Sequence, residues 1–181
     1  MSLAGALAAA LALTACSQSN SGTPTPAQGA TETTTTSTTT SSTASASPIT
    51  DIDPCDLLTP DERSQLGGLD EGKREDLGGI GCTWGASGSH RTSVTLSDKL
   101  GIQDLQDPGG TSVEITVNGR KARKIPGNKQ AGTTGMCELG LEIGPHARAL
   151  IISGTVSGTT EEACQIADQT AQLIEPKLPK S

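Results

Sequence analysis

Five cysteines constrain this chain more than any other feature: Cys16, Cys55, Cys82, Cys137 and Cys164. Five is odd, so at least one of them has work other than an internal disulfide. Cys16 stands apart by its setting. It closes Leu13-Thr14-Ala15-Cys16, where an apolar run stops and a Ser/Thr-rich stretch begins. The other four lie in the more varied sequence beyond residue 49.

Residues 1–15, MSLAGALAAALALTA, carry no charged side chain and about thirteen successive small or apolar residues from Leu3. A membrane-spanning helix needs roughly 20. The run has instead the length of a signal-peptide core. Leu13-Thr14-Ala15-Cys16 resembles a bacterial lipobox, with small residues before the cut and a thiol that takes a diacylglyceryl group. A core helix ending in a free thiol is the alternative, but the polar tract from Ser17 cannot continue a packed helix. An n-region should carry Lys or Arg; here only the α-amino group is positive, and a start upstream of Met1 would supply it. The reading is a lipoprotein signal peptide over 1–15 and a lipidated Cys16 anchored in a cell membrane on its extracytoplasmic face. Two or three acyl chains make such anchoring stable, where one is marginal.

Residues 16–48 follow as a tether of Ser, Thr, Ala, Gly and Pro, including TETTTTSTTTSSTASAS. No apolar periodicity runs through it, so it cannot bury enough surface to offset its ordering entropy. As a flexible coil of about 32 residues it spans roughly 30 Å. Its composition also fits O-glycosylated stalks.

Residues 49–181 read as one folded domain. Thr59-Pro60-Asp61-Glu62 is a capping box with proline at the first helical position, predicting a short helix from Pro60 to about Leu66, stopped by Gly67-Gly68. A Gly- and charge-rich loop to Gly79 is expected next. Strand signals follow at residues 81–84 and 92–97. Val113, Ile115 and Val117 alternate with Glu114 and Thr116 as a half-buried strand. Asn118-Gly119 is the favoured two-residue hairpin turn, so residues 120–125 should return antiparallel. Cys137, Leu139, Leu141 and Ile143 share a face opposite Glu138 and Glu142. Residues 147–153 form a more continuous apolar run. A second capping box, Thr159-Thr160-Glu161-Glu162, opens a helix whose Ala163, Ile166, Ala167, Thr170, Ala171 and Ile174 fall at helical spacing, ending near Glu175. The prediction is an α+β fold: an antiparallel sheet of about six strands, with the short N-terminal helix and the C-terminal helix packed on one face.

Outside the cytoplasm an even cysteine count reads as disulfides. With Cys16 set aside, four remain and three pairings are possible. Cys55 with Cys82 and Cys137 with Cys164 is favoured, since each closes a loop of 27 positions and staples a helix end to a strand. Zinc and redox-active readings both want C-x-x-C spacing, which is lacking. The reinforcement matters because the chain has no Tyr, no Phe and a single Trp, Trp84. Trp84 is expected to pack near the Cys82 disulfide rather than to act as a lone stacking residue.

Asp53-Pro54-Cys55 with Leu57-Leu58, Cys82-x-Trp84, Val117-x-Gly119-x-x-Ala122, Cys137, Cys164-x-x-Ala167 and Leu178-Pro179 resemble, in order and spacing, the actinobacterial lipoproteins grouped as domain of unknown function 3558. The resemblance covers about residues 50 to 180. It implies an envelope-facing lipoprotein with no established activity or ligand.

Catalytic constellations are missing from the sequence. Gly85-Ala86-Ser87-Gly88-Ser89 fails the nucleophile-elbow pattern at its fifth position. Gly79-x-Gly81 lacks the third glycine of a dinucleotide loop. Asp51-Ile52-Asp53 starts like a calcium loop without the later ligands. No metal, cofactor or enzyme activity is therefore expected. A formal charge of −7 and the lack of aromatic platforms argue against nucleic acid as a partner. His90 and His146, 56 positions apart and expected in loops, are the two residues on which a non-motif hydrolase site would have to be built. Arg120, Lys121, Arg123 and Lys124, with Lys129, form a basic stretch in an acidic chain. On a strand Lys124 shares Arg120's face and Arg123 shares that of Lys121. The stretch is either a solvated or charge-guarded edge strand or a site for an anionic partner, lipid headgroups or cell-wall polymer. The leading expectation is a non-catalytic envelope lipoprotein that binds an envelope protein or an anionic envelope ligand. The alternative is an envelope hydrolase centred on His146 or His90.

Overall fold

The computed structural model describes residues 49–127 and 135–180. The signal peptide, Cys16, the tether and Lys129 lie outside the described residues.

The first element is a 3-10 turn, Pro54–Leu57, which Asp53 caps by accepting the Cys55 N–H at 2.9 Å. Helix α1, Pro60–Gln65, follows, and both hydrogen bonds of the capping box between Thr59 and Glu62 form. Seven strands come next: β1 Lys73–Asp76, β2 Ile80–Ala86, β3 His90–Ser97, β4 Val113–Val117, β5 Arg120–Pro126, β6 Met136–Gly144 and β7 Ala147–Thr155. Helix α2, Thr160–Ile174, closes the fold, again with its capping box intact.

All neighbouring strands are antiparallel, in the order β1-β2-β3-β7-β6-β5-β4. Two meanders, β1 to β3 and β4 to β7, thus join side by side through β3 and β7. Seven strands replace the expected six because β1 lies in the segment expected as a loop. Lys-Arg-Glu-Asp has no apolar alternation, and all four residues are exposed. β1 is held by its backbone pairing to β2, which leaves no signal in side-chain pattern.

The core lies between α2 and one face of the sheet. That face carries Cys82, Trp84, Val94, Leu96, Ala122, Leu139, Leu141, Ala149 and Ile151, all almost inaccessible to solvent. α2 buries Ala163, Ala167, Thr170, Ala171 and Ile174 against β6 and β7. Its alanines bring the helix axis close to the sheet, and Ile174 contributes about 2 kcal/mol of transfer free energy. The buried hydroxyls of Thr92 and Ser153 satisfy each other at 2.8 Å.

The N-terminal helix departs from expectation. α1 buries none of its residues. The apolar contacts come from its flanks, Leu57, Leu58 and Leu66. Six residues of Pro-Asp-Glu-Arg-Ser-Gln offer no apolar stripe, so α1 serves as a capped connector, and α2 is the helix that packs on the sheet.

Disulfides join Cys55 to Cys82 and Cys137 to Cys164. The first ties the 3-10 turn to β2, the second ties α2 to β6. Each is worth about 3–4 kcal/mol in the chain-entropy model. Trp84 is 1% exposed and packs beside the first disulfide across Gly72. A Cβ on Gly72 would sit 2.4 Å from Trp84 Nε1 and 2.5 Å from Cys82 Sγ, so only glycine fits between them.

Asn118 (φ 50°) and Gly119 (φ 89°) form the predicted hairpin turn between β4 and β5. β4 is less buried than its alternation suggests: Val113 is 45% exposed, Ile115 half-buried and Val117 buried. The cause is its place at the edge of the sheet.

Candidate functional site

The face of the sheet turned away from α2 is only half covered. The chain leaves β3 and reaches β4 at the far edge through residues 98–112, which cross under β6 and β5 as a strap. A short 3-10 turn, Ile102–Asp104, and Leu105 lie in this strap. Gly140 of β6 makes room for it: a Cβ there would stand 2.7 Å from Leu105 Cδ1. Arg148 Nη1 donates to the Gly101 carbonyl at 2.8 Å, and Gln103 Nε2 donates to the Pro145 carbonyl at 2.6 Å. Arg148 is buried, which lowers the pKa of its guanidinium against the opposing pull of Asp104 and Glu138. Its Nε finds no hydrogen-bond partner among the described residues.

The other half of this face, over β1, β2, β3 and β7, is open. The strand register sets its floor. Thr83, Ser93 and Ile152 form one row; Glu75, Gly81, Thr95 and Leu150 form the next; Gly85, Arg91, Gly154 and Met136 form a third. A trough of about 410 Å³ runs over Thr83, Ser93, Thr95, Leu150 and Ile152, with Glu75 and Arg91 at its rim. Through Arg91, Gly154 and Met136 it continues into a cleft of about 750 Å³ at the end of the β2–β3 hairpin. Gly154 leaves a notch between Arg91 and Met136, since a Cβ there would meet no atom closer than 3.7 Å. Thr83 donates its hydroxyl to Glu75 at 2.9 Å. Leu77 and Val156, at the two mouths, are 45% and 76% exposed. The result is an apolar strip beside a row of hydroxyls, with Glu75 and Arg91 at its rim, Lys73 in register with Thr83 and Glu138 in register with Ile152. Such a surface can hold a ligand or a polypeptide segment; it carries no activated nucleophile along its floor.

The cleft contains His90. The residue opens β3 and so is not in a loop. His90 Nε2 lies 2.8 Å from the Leu66 carbonyl, which can only accept, so Nε2 carries the proton. Nδ1 lies 3.1 Å from the Ser89 hydroxyl. Asp70 lines the same cleft, but its carboxylate accepts the Gly85 N–H at 2.8 Å. His146 is exposed in the turn between β6 and β7. The β3–β7 register puts His90 against Thr155 and Ser97 against Arg148, so the two histidines stand at opposite ends of the sheet. They do not form one site.

The four cations of the basic stretch do not form one surface patch. Its alternation holds, but three of the four cations are engaged inside the fold. Arg120 is 6% exposed. Its Nε pairs with Glu175 at 3.1 Å, and its other nitrogens donate to the carbonyls of Glu142 and Pro179. Lys124 bonds both carboxylate oxygens of Asp168 on α2. On the strap side Arg123 donates to Ser112 Oγ at 2.9 Å and to the Leu105 carbonyl. Lys121 alone is exposed. Asp53, read as the start of a carboxylate cluster, caps the first turn and pairs with Arg74. Among the described residues no group of three or more His, Cys, Asp or Glu could hold a metal ion. No helix among them is long and apolar enough to cross a membrane.

A family model for a protein of unknown function, DUF3558, matches residues 11–177. The chain belongs to the DUF3558 family. The match reaches further toward the N-terminus than the sequence resemblance, past the tether and Cys16 to the apolar run. No curated protein and no solved structure matches this DUF3558 chain.

The trough was partly legible in the sequence. The apolar run at residues 147–153 is continuous because β7 is apolar on both sides. Ala149 and Ile151 face α2, while Leu150 and Ile152 face the trough. Arg91 and the glycines of the floor carried no such signal, since only the cross-strand register brings them into line.

Proposed function

We propose that this DUF3558 protein is a non-catalytic binding module on the outer face of a cell membrane. Cys16 is its lipid anchor, residues 16–48 are its tether, and the open half of the sheet is the surface that takes its partner. The observation that carries the reading is the trough itself. An uncovered sheet face with Leu150 and Ile152 in its floor and Leu77 and Val156 at its mouths departs from the usual burial of contiguous apolar surface. Arg91 and Glu75 fix polarity at the rim. An envelope protein or an envelope ligand with one anionic group meets that chemistry. Two internal disulfides in the folded part support an oxidising compartment. The family match opening before Cys16 supports the lipobox as part of the protein.

The test is site-specific photocrosslinking in intact cells. A photoreactive residue at Ile152 should give a discrete adduct, while one at the exposed Gln169 of α2 should not. Loss of the Ile152 adduct on Gly154→Arg, which fills the notch, completes the expected result. Identical adducts from both positions, or none from Ile152, would remove the assignment.

The contact between Ser89 Oγ and His90 Nδ1 favours a second reading, a hydrolase in the cleft. It is the weaker one, because a backbone carbonyl rather than a carboxylate holds the ring, and a Ser–His–Asp/Glu arrangement needs the acid. Covalent labelling by a fluorophosphonate that disappears in Ser89→Ala would establish it; no labelling of the native protein would discard it.

A further inference from the structure

The two edges of the sheet are unlike each other. β1 presents Lys73, Arg74, Glu75 and Asp76, all exposed, and charge of this density is how natural sheets guard an edge. β4 presents Val113, Glu114, Ile115, Thr116 and Val117, with one charge and no proline. Among the described residues no strand borders β4 on its outer side. The hairpin turn fixes which of its backbone groups are free. In a two-residue hairpin the flanking pair, here Val117 and Arg120, exchanges both hydrogen bonds, and the alternation then repeats every second residue. Val113, Ile115 and Val117 therefore point their N–H and C=O groups at β5. Glu114 and Thr116 point theirs outward.

We propose that β4 is a self-complementary edge at which two copies of this chain join antiparallel about a two-fold axis through Ile115. In that register Glu114 of each copy exchanges two backbone hydrogen bonds with Thr116 of the other, four bonds in all. Charge complementarity selects it. An axis at Glu114 would set two carboxylates opposite each other, which is unfavourable. The axis at Ile115 sets each carboxylate against a threonine hydroxyl, a donor. The same register places Ile115 against its own copy and covers Val113, 45% exposed, with the second copy's Val117. Among the described residues α2 lies chiefly over β6 and β7, about 10–14 Å in from the edge at ordinary strand spacing, with lesser contact to β5 and one hydrogen bond from Asn118 Nδ2 of the hairpin turn to the Gln172 carbonyl. The axis is perpendicular to the sheet, so both troughs would open on the same side. The pairing does not depend on what the trough binds.

Cysteine crosslinking of the full-length protein in its native membrane tests the register. Ile115→Cys places two thiols across a directly opposed strand pair, within disulfide reach. It should give a covalent dimer at twice the chain mass on a non-reducing gel. Val113→Cys, more exposed but about 14 Å from its own copy in this register, should not. Adding Thr116→Glu to Ile115→Cys sets like charges opposite each other twice and should lower the dimer roughly tenfold. Adding Glu114→Lys as well should restore it, which separates a lost contact from a lost fold. A monomeric Ile115→Cys protein, equal crosslinking of Ile115→Cys and Val113→Cys, or an adduct of any other mass at Ile115 would overturn the proposal.

Discussion

Arg120 and Lys121 are neighbours with the same charge, yet the fold treats them oppositely. The two-residue period of β5 sends Arg120 under α2 and Lys121 to solvent. That alternation could be read from the sequence. What Arg120 meets there could not, because Glu175 is 55 positions away and Pro179 is 59. A buried ion pair of this kind costs much more to break than to omit, since removing one partner leaves an uncompensated charge. Glu175→Gln is therefore expected to lower unfolding free energy by about 3–5 kcal/mol, the range for breaking buried pairs. Lys121→Gln should stay within about 0.5 kcal/mol, as ordinary surface changes do. Urea titration of the two variants reads the difference directly. Equal effects would mean that Arg120 is not held as described.

Among elements, those with a local chemical signature were legible: both capping boxes, the Asn-Gly hairpin and the alternation of β6. β1 and the strap were not, since each is fixed by what it lies against. The strap's end nevertheless has its own chemistry. Asp107 Oδ2 accepts the Ser112 N–H at 2.7 Å and Oδ1 accepts the Thr111 N–H at 3.1 Å. The backbone bond from Ser112 leads in pulling its pKa from the ordinary 3.8 to about 2; burial opposes it, and Ser112's side chain, Thr111 and the Arg123 charge assist. A carboxyl whose folded pKa is depressed contributes stability that is fully present above the unfolded value. It is lost as pH falls through the folded one. The turn at residues 107–112 should accordingly hold at pH 4 and loosen toward pH 2. The Ser112 amide proton, followed by NMR, should titrate with a midpoint near 2. Asp107→Asn should abolish the transition. A midpoint at or above 3.8 would show that the turn is open in solution.

At the scale of the molecule, one sheet serves two solvents. The face under α2 is a conventional core. The opposite face is half closed by the strap and half open to water, and β7 runs through both. Its sequence cannot be divided by hydropathy alone, because Leu150, Ile151 and Ile152 look alike until the register assigns them to sides. Ile151 is fully buried, while Ile152 is half-buried in the trough. The same substitution at these two adjacent positions should then have unequal consequences. Ile151→Asp places a carboxylate with no partner in the core and is expected to cost more than about 4 kcal/mol, enough to prevent folding at 37 °C. Ile152→Asp keeps its carboxylate in reach of water, though opposite Glu138, and is expected to cost about 1–2 kcal/mol. Thermal melts followed by near-ultraviolet circular dichroism of Trp84 distinguish the two. A cooperative melt for Ile152→Asp, with none for Ile151→Asp, requires that the trough face be wet in the folded monomer. If both variants failed to fold, that face would be covered in solution, and the surface assigned to a partner would be part of the core.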